Sequence, residues 1–128
     1  MGKGPVTGGD MRSAVHDYEW SDLGAERGGP LKGLREKLLS HDPETGAYTR
    51  LIIFEPGFRF EKVRTHDFWE EVYVLEGHMM DYATNTLYTK GSYALRQPGV
   101  LHGPFGSGLG CTLIETVWYD RDWYRRNP

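Results

Sequence analysis

The stretch His66-Asp67-Phe68-Trp69-Glu70-Glu71-Val72-Tyr73-Val74-Leu75-Glu76-Gly77 decides how this chain is read. Its second half is a dense run of β-branched and aromatic residues, which suit a pleated, half-buried strand. Side chains alternate between faces along an extended chain. Arg64, His66 and Glu70 therefore share one face, and Val72 and Val74 continue it as apolar lining. Glu71 has the opposite parity and points outward, although a one-residue slip would exchange it with Glu70. Glu76-Gly77 reads as a turn. A histidine and a carboxylate converging at one end of a barrel are suitable ligands for a divalent metal. The same spacing also suits a hydrogen-bonded pair at a strand end.

Outward from this stretch the chain keeps a β rhythm. Leu31, Leu34 and Leu38 have helical spacing, but Gly33 weakens a helix. The hairpin reading is preferred: a strand, the turn Asp42-Pro43-Glu44-Thr45-Gly46, then a strand over Ala47–Glu55. Further strands are expected at Phe58–Phe60, Met79–Ala83, Leu87–Tyr88, Tyr93–Leu95 and Cys111–Tyr119, separated by turns such as Pro56-Gly57 and Gln97-Pro98-Gly99. Seven or eight short strands at this spacing predict an all-β sandwich or barrel. Residues 1–30 are Gly-rich and polar and read as an arm, 31–119 as the barrel, and 120–128 as a tail or short helix.

Composition narrows the classes. The chain has 128 residues, 26% charged and 38% hydrophobic, an ordinary globular composition with room for one domain. Fifteen Lys+Arg against 18 Asp+Glu leave a net charge of −3, which argues against a basic nucleic-acid-binding face. Seventeen Gly and seven Pro agree with many tight turns. No apolar run approaches the ~18 residues of a membrane span. The N-terminus lacks the apolar core of a signal peptide, so the expected compartment is the cytoplasm. The single cysteine, Cys111, excludes an intrachain disulfide and a Cys-rich zinc site; on an apolar strand it reads as a small buried hydrophobe. On the same strand Glu115 shares the parity of Cys111, Leu113 and Val117. If that face is interior, this carboxylate needs a partner or a proton, which makes it a candidate acid/base.

A second informative stretch, Gly91 through His102, places a histidine just past the Pro98-Gly99 turn. Together the two stretches resemble the cupin superfamily. Glu70, six residues and Gly77 match the end of its first motif, and His66 fits that motif's second histidine. Gly91, Gly99 and His102 fall at the offsets of the second motif. The segments Asp42-Pro43-Glu44-Thr45-Gly46 and His102-Gly103-Pro104…Gly110-Cys111-Thr112-Leu113 further resemble the small single-domain cupins of the ChrR type. The resemblance implies an antiparallel double-stranded β-helix, the jelly-roll barrel.

It also implies a metal site in which His66, Glu70 and His102 take three of the family's four ligand positions. The fourth is Arg64, which stays protonated and cannot donate a lone pair. The remaining His₂Glu set is the ligand inventory of non-heme Fe(II) oxygenases and of some catalytic zinc sites. Fe²⁺ is favoured, with Zn²⁺, Mn²⁺ or Ni²⁺ as alternatives. Arg64 reads either as a surface arginine paired with Glu71 or as an inward group that attracts an anionic or enolate substrate oxygen. His78 should sit at the far end of the barrel from Glu70, as a turn or surface residue. Phe68, Trp69 and Tyr73 read as packing residues, with an aromatic pocket wall as the alternative.

The function implied is a metal-dependent enzyme acting on a small diketone, hydroxyketone or phenolic substrate, a dioxygenase first. The alternatives are an isomerase, lyase or cyclase using the metal as a Lewis acid, or a metal- or ligand-sensing module. The expected partners are a small-molecule substrate and a second copy of the chain in a homodimer. The motive for the homodimer is that Tyr18 and Trp20 lie in an arm with too few apolar residues to form a core.

Overall fold

The computed structural model describes residues 2–5, 21–22, 33–61, 63 and 65–126. Arg64, Tyr18 and Trp20 therefore lie outside the described residues, and with them the two readings of Arg64 and the motive for the homodimer. Among the described residues ten strands run in chain order: β1 (Gly4–Pro5), β2 (Ser21–Asp22), β3 (Leu34–His41), β4 (Tyr48–Phe54), β5 (Phe58–Phe60), β6 (Trp69–Asp81), β7 (Thr86–Thr89), β8 (Tyr93–Arg96), β9 (Phe105–Ser107) and β10 (Cys111–Trp118). A single helical turn and a half, α1 (Arg121–Arg126), follows. Among the described residues no helix is long and apolar enough to cross a membrane.

All strand pairs are antiparallel. One sheet runs β3-β4-β10-β6-β8, with β1 and β2 both paired to β3; the other joins β7, β6, β9 and β5. β6 belongs to both sheets. Its first half pairs with β10 and β8, its second with β7 and β9. The result is the jelly-roll barrel that the resemblance implies.

The β3–β4 hairpin forms as the turn chemistry dictates. Asp42 accepts hydrogen bonds from the Glu44 N–H (2.9 Å) and the Thr45 hydroxyl (2.8 Å), which closes the turn and holds its carboxyl below the usual range. β10 alternates without a break: Cys111, Leu113, Glu115 and Val117 are buried, and the residues between them are half-exposed. Ile52, Phe54, Phe58, Phe60, Val72, Val74, Met79, Cys111 and Leu113 make one continuous core between the two sheets. Burying each such side chain contributes roughly 1.5–3 kcal/mol against the entropy of ordering the chain.

Three local expectations are corrected. Glu76-Gly77 is not a turn but the middle of the 13-residue β6, where the strand bends from one sheet into the other. The bend lies beside an irregularity in the β6–β10 register at Thr112/Leu113. Gly77 adopts φ +76°, and a Cβ there would sit 2.1 Å from the Gly110 carbonyl oxygen. His78 is accordingly half-buried within the strand rather than a turn residue. Tyr73 is no packing residue either; at 44% exposure it lies on the outer face, in register with Tyr93.

Cys111 is 4% exposed, and burial pushes its thiol up to about 11. At pH 8 it is therefore a neutral, shielded thiol. A thiol-reactive dye should label the native protein hardly at all and label it stoichiometrically in denaturant; rapid native labelling would place Cys111 at the surface.

A candidate metal centre inside the barrel

Strand parity delivers Glu70 inward from β6, as it does Val72 and Val74, while Glu71 faces out and accepts a hydrogen bond from the Tyr93 hydroxyl at 2.8 Å. The register expected from the sequence is the one observed. His66 lies in the loop that enters β6, and His102 in the loop that follows β8. These loops are tied together by the Gly99 N–H, which donates to the His66 carbonyl at 2.8 Å. His66, Glu70 and His102 each present a donor atom, and all three atoms lie within 4.8 Å of one another. The imidazole centroids of His66 and His102 are 4.6 Å apart, and His66 Nε2 is 3.5 Å from Glu70 Oε2.

Aromatic rings hold the imidazoles. Phe68 stacks on His66 at 4.4 Å and 11°, and Phe105 on His102 at 6.2 Å and 16°. Phe68 is thus a wall of the site. Trp69 turns to the outer face and stacks on Trp118 at 6.0 Å, a packing role. The donor trio opens on a cavity of about 90 Å³ lined by Phe54, Phe58, Phe60, Phe105 and Leu113.

The remaining polar lining is a chain of charges that spacing within the sequence does not reveal. Glu115 is buried on β10, on the interior face its parity indicates, and its partner is Arg50, directly opposite on β4. Arg50 donates through Nε (2.9 Å) and Nη2 (2.8 Å) to Glu115 Oε1, and through Nη1 to Glu36 Oε2 at 2.8 Å. Arg96, opposite Glu70 on β8, reaches Glu70 Oε1 at 3.4 Å. None of these five side chains is more than 16% exposed.

Among the described residues, this chain of three carboxylates and two guanidiniums carries one negative charge in excess. At Glu70 burial, and after it the neighbouring Glu115 carboxylate, push the carboxyl up to about 7, with Arg96 opposing. A proton on Glu70 or a cation at the donor trio offsets that excess. Two imidazoles and a carboxylate are an ordinary donor set for a divalent transition metal. Ligand atoms around one ion stand about 3–4 Å apart, so small side-chain rotations close the trio onto it. On both charge and donor type, the residues fit a divalent metal ion.

A family model described as ChrR Cupin-like domain matches residues 9–118. Among solved structures, an RmlC-like cupin from Shewanella frigidimarina shares 24% identity, with 88% of this chain and 93% of that one aligned at a TM-score of 0.67. An acetylacetone dioxygenase from Acinetobacter johnsonii is 21% identical over 70% of this chain and 66% of its own, at a TM-score of 0.57. The Rhodobacter sphaeroides complex of SigE with the anti-sigma ChrR contains a chain 21% identical over 81% of this one and 51% of that one, at a TM-score of 0.59. These likenesses show the fold. No curated protein matches the chain.

Proposed function

This chain belongs to the ChrR cupin-like family, and from that premise we propose that it is a metal-dependent enzyme acting on a small oxygenated organic substrate, a dioxygenase of diketones, hydroxyketones or phenolic compounds. The observation that carries this reading is the convergence of His66, Glu70 and His102 on one point beside an aromatic cavity. These three residues would hold the ion, Fe²⁺ by preference, which would polarise a substrate oxygen and supply redox chemistry toward O₂.

The chain's own residues do the rest. Phe68 and Phe105 fix the two imidazole planes by stacking. Phe54, Phe58 and Phe60 keep water from the cavity and give the substrate's carbon skeleton an apolar bed. Arg96 faces Glu70 at the cavity wall, with its Nη1 3.4 Å from Glu70 Oε1. Glu115 is the proposed proton acceptor from the substrate carbon. Arg50 binds it through Oε1 alone, and the other carboxylate oxygen is the one assigned to proton transfer.

The family match also favours a second reading, a ligand-sensing module that uses the same cavity without turnover. The deciding experiment has two parts. Elemental analysis of protein purified without chelator is expected to show about one metal per chain, lost in His102→Ala while the fold persists by circular dichroism; metal retained in that variant would mean the ligands are wrongly chosen. Oxygen consumption with a panel of small β-diketones and phenolic ketones is then expected for the metal-loaded protein. Metal without oxygen uptake sinks the dioxygenase assignment and leaves the sensing or Lewis-acid readings.

A further inference from the structure

Two guanidiniums line the same cavity, and they are treated very differently. Arg50 makes three short contacts to two carboxylates, at 2.8–2.9 Å, and its donors are committed. Arg96 has five N–H donors like any arginine, yet among the described residues its polar partner is Glu70 alone, through Nη1 at 3.4 Å. That contact is long for a charge-assisted hydrogen bond, whose usual range is about 2.7–2.9 Å. Arg96 therefore stands at the cavity wall with most of its hydrogen-bonding capacity uncommitted, and it is only 16% exposed.

The charge count gives that capacity a direction. Among the described residues, Glu36, Glu70 and Glu115 against Arg50 and Arg96 sum to one negative charge, and a divalent ion at the donor trio reverses this to one positive charge. A low-dielectric cavity does not hold an uncompensated charge cheaply. One monoanionic ligand would restore neutrality. Apart from the two histidines, the rest of the lining among the described residues is apolar, half of it phenylalanine, so the rest of the ligand must be apolar too. The volume, about 90 Å³, accommodates on the order of six to nine water-sized groups.

We propose that Arg96 is the anion-recognition residue of this cavity and that its ligand is a small, branched or planar apolar molecule carrying one planar oxyanion, a carboxylate or an enolate. The proposal rests on the divalent-metal reading above and names the substrate class within it. The planar oxyanion matches the forked guanidinium, while Glu70 is drawn toward the ion and leaves Nη1 to the ligand.

The test is calorimetric titration of the metal-loaded, full-length protein, with metal content measured in every sample. The ligands are isobutyrate (carboxylate), acetylacetone (enolisable) and isobutyramide, a neutral mimic of the first. Wild type is expected to bind at least one of the two oxyanion formers, and more tightly than the amide. Arg96→Met should weaken that binding, compared per metal ion bound, about 10- to 100-fold more than it weakens binding of the amide. Arg96→Lys, which keeps the charge beside Glu70 but lacks the fork, should weaken it by a smaller factor, and it carries the test if the methionine variant does not fold. Wild-type affinity in a folded, metal-replete Arg96 variant would overturn the proposal, as would wild-type protein that binds the amide as well as either oxyanion former. Wild type that takes up no metal sinks the underlying reading separately. In that event the anchor stands only if oxyanion binding is still seen and still lost in Arg96→Met, and falls otherwise.

Discussion

Arg50→Met is expected to destabilise the protein by about 3–5 kcal/mol, the cost of leaving a buried partner charge without its counter-ion. For a chain of this size that is a fall in Tm on the order of 10–20 °C. The guanidinium sits between Glu36 and Glu115 with contacts of 2.8–2.9 Å, packs over the Tyr48 ring at 5.0 Å, and is 9% exposed. Although burial opposes its charge, the Glu115 carboxylate holds Arg50 above even the ordinary arginine range. Methionine preserves much of the stem and removes only the charge and the donors, so the loss reports electrostatics rather than a cavity. The double variant Arg50→Met/Glu115→Gln should recover a substantial part of the loss, because the deeper of the two stranded carboxylates is gone. Chemical denaturation of the wild type and both variants measures all three. A loss below about 1 kcal/mol for Arg50→Met would show that the Glu36–Arg50–Glu115 chain is solvated rather than buried.

Gly77→Ala should be at least as damaging. The left-handed backbone at φ +76° costs a residue with a Cβ about 1–2 kcal/mol by itself. The new Cβ would also lie 2.1 Å from the Gly110 oxygen and 3.0 Å from Cys111 Cα. Both are backbone atoms, so no side-chain rotation relieves the clash, and the crossing of β6 from one sheet to the other must shift. A loss greater than about 3 kcal/mol, or failure to accumulate as folded protein, is the expected outcome. Gly91→Ala is the matched control: φ is +91°, but the nearest atom to a Cβ is the Tyr73 hydroxyl oxygen at 3.9 Å. It should show the strain without the collision. Equal losses in the two variants, by urea denaturation, would mean that β6 and the β9–β10 connection do not approach as closely as described.

Gly77 also marks where local reading fails. Glu76-Gly77 has the composition of a turn, and nothing within a few residues distinguishes a turn from a strand that must bend. The distinction comes from Gly110 and Cys111, which lie more than thirty residues away in the chain and leave no room for a side chain. Tyr73 fails in the same way. Its apolar character marks it for packing, yet it stays half in solvent because the edge strand β8 sets its surroundings; at Phe68 the loop path selected the pocket wall over packing. The donor trio was legible in the primary structure because strand parity turned Glu70 inward and the family spacing supplied His66 and His102; His66 itself lies in the loop before β6, where strand parity does not apply. Arg50 and Arg96 were not legible. Each is one arginine among several, and its meaning depends on the carboxylate that pairing places opposite it.

The amino-acid sequence by itself determined the alternation of buried and exposed positions, the hairpin closed by Asp42, and which residues can face the interior, because all of these follow from the two-residue period of a strand and from short-range turn chemistry. The tertiary structure alone decided which interior charges meet. Arg50 and Glu115 are separated by 65 positions and are joined by the register of β4 against β10. That register is set by the packing of both sheets together, a cooperative property of the folded chain that no local pattern encodes.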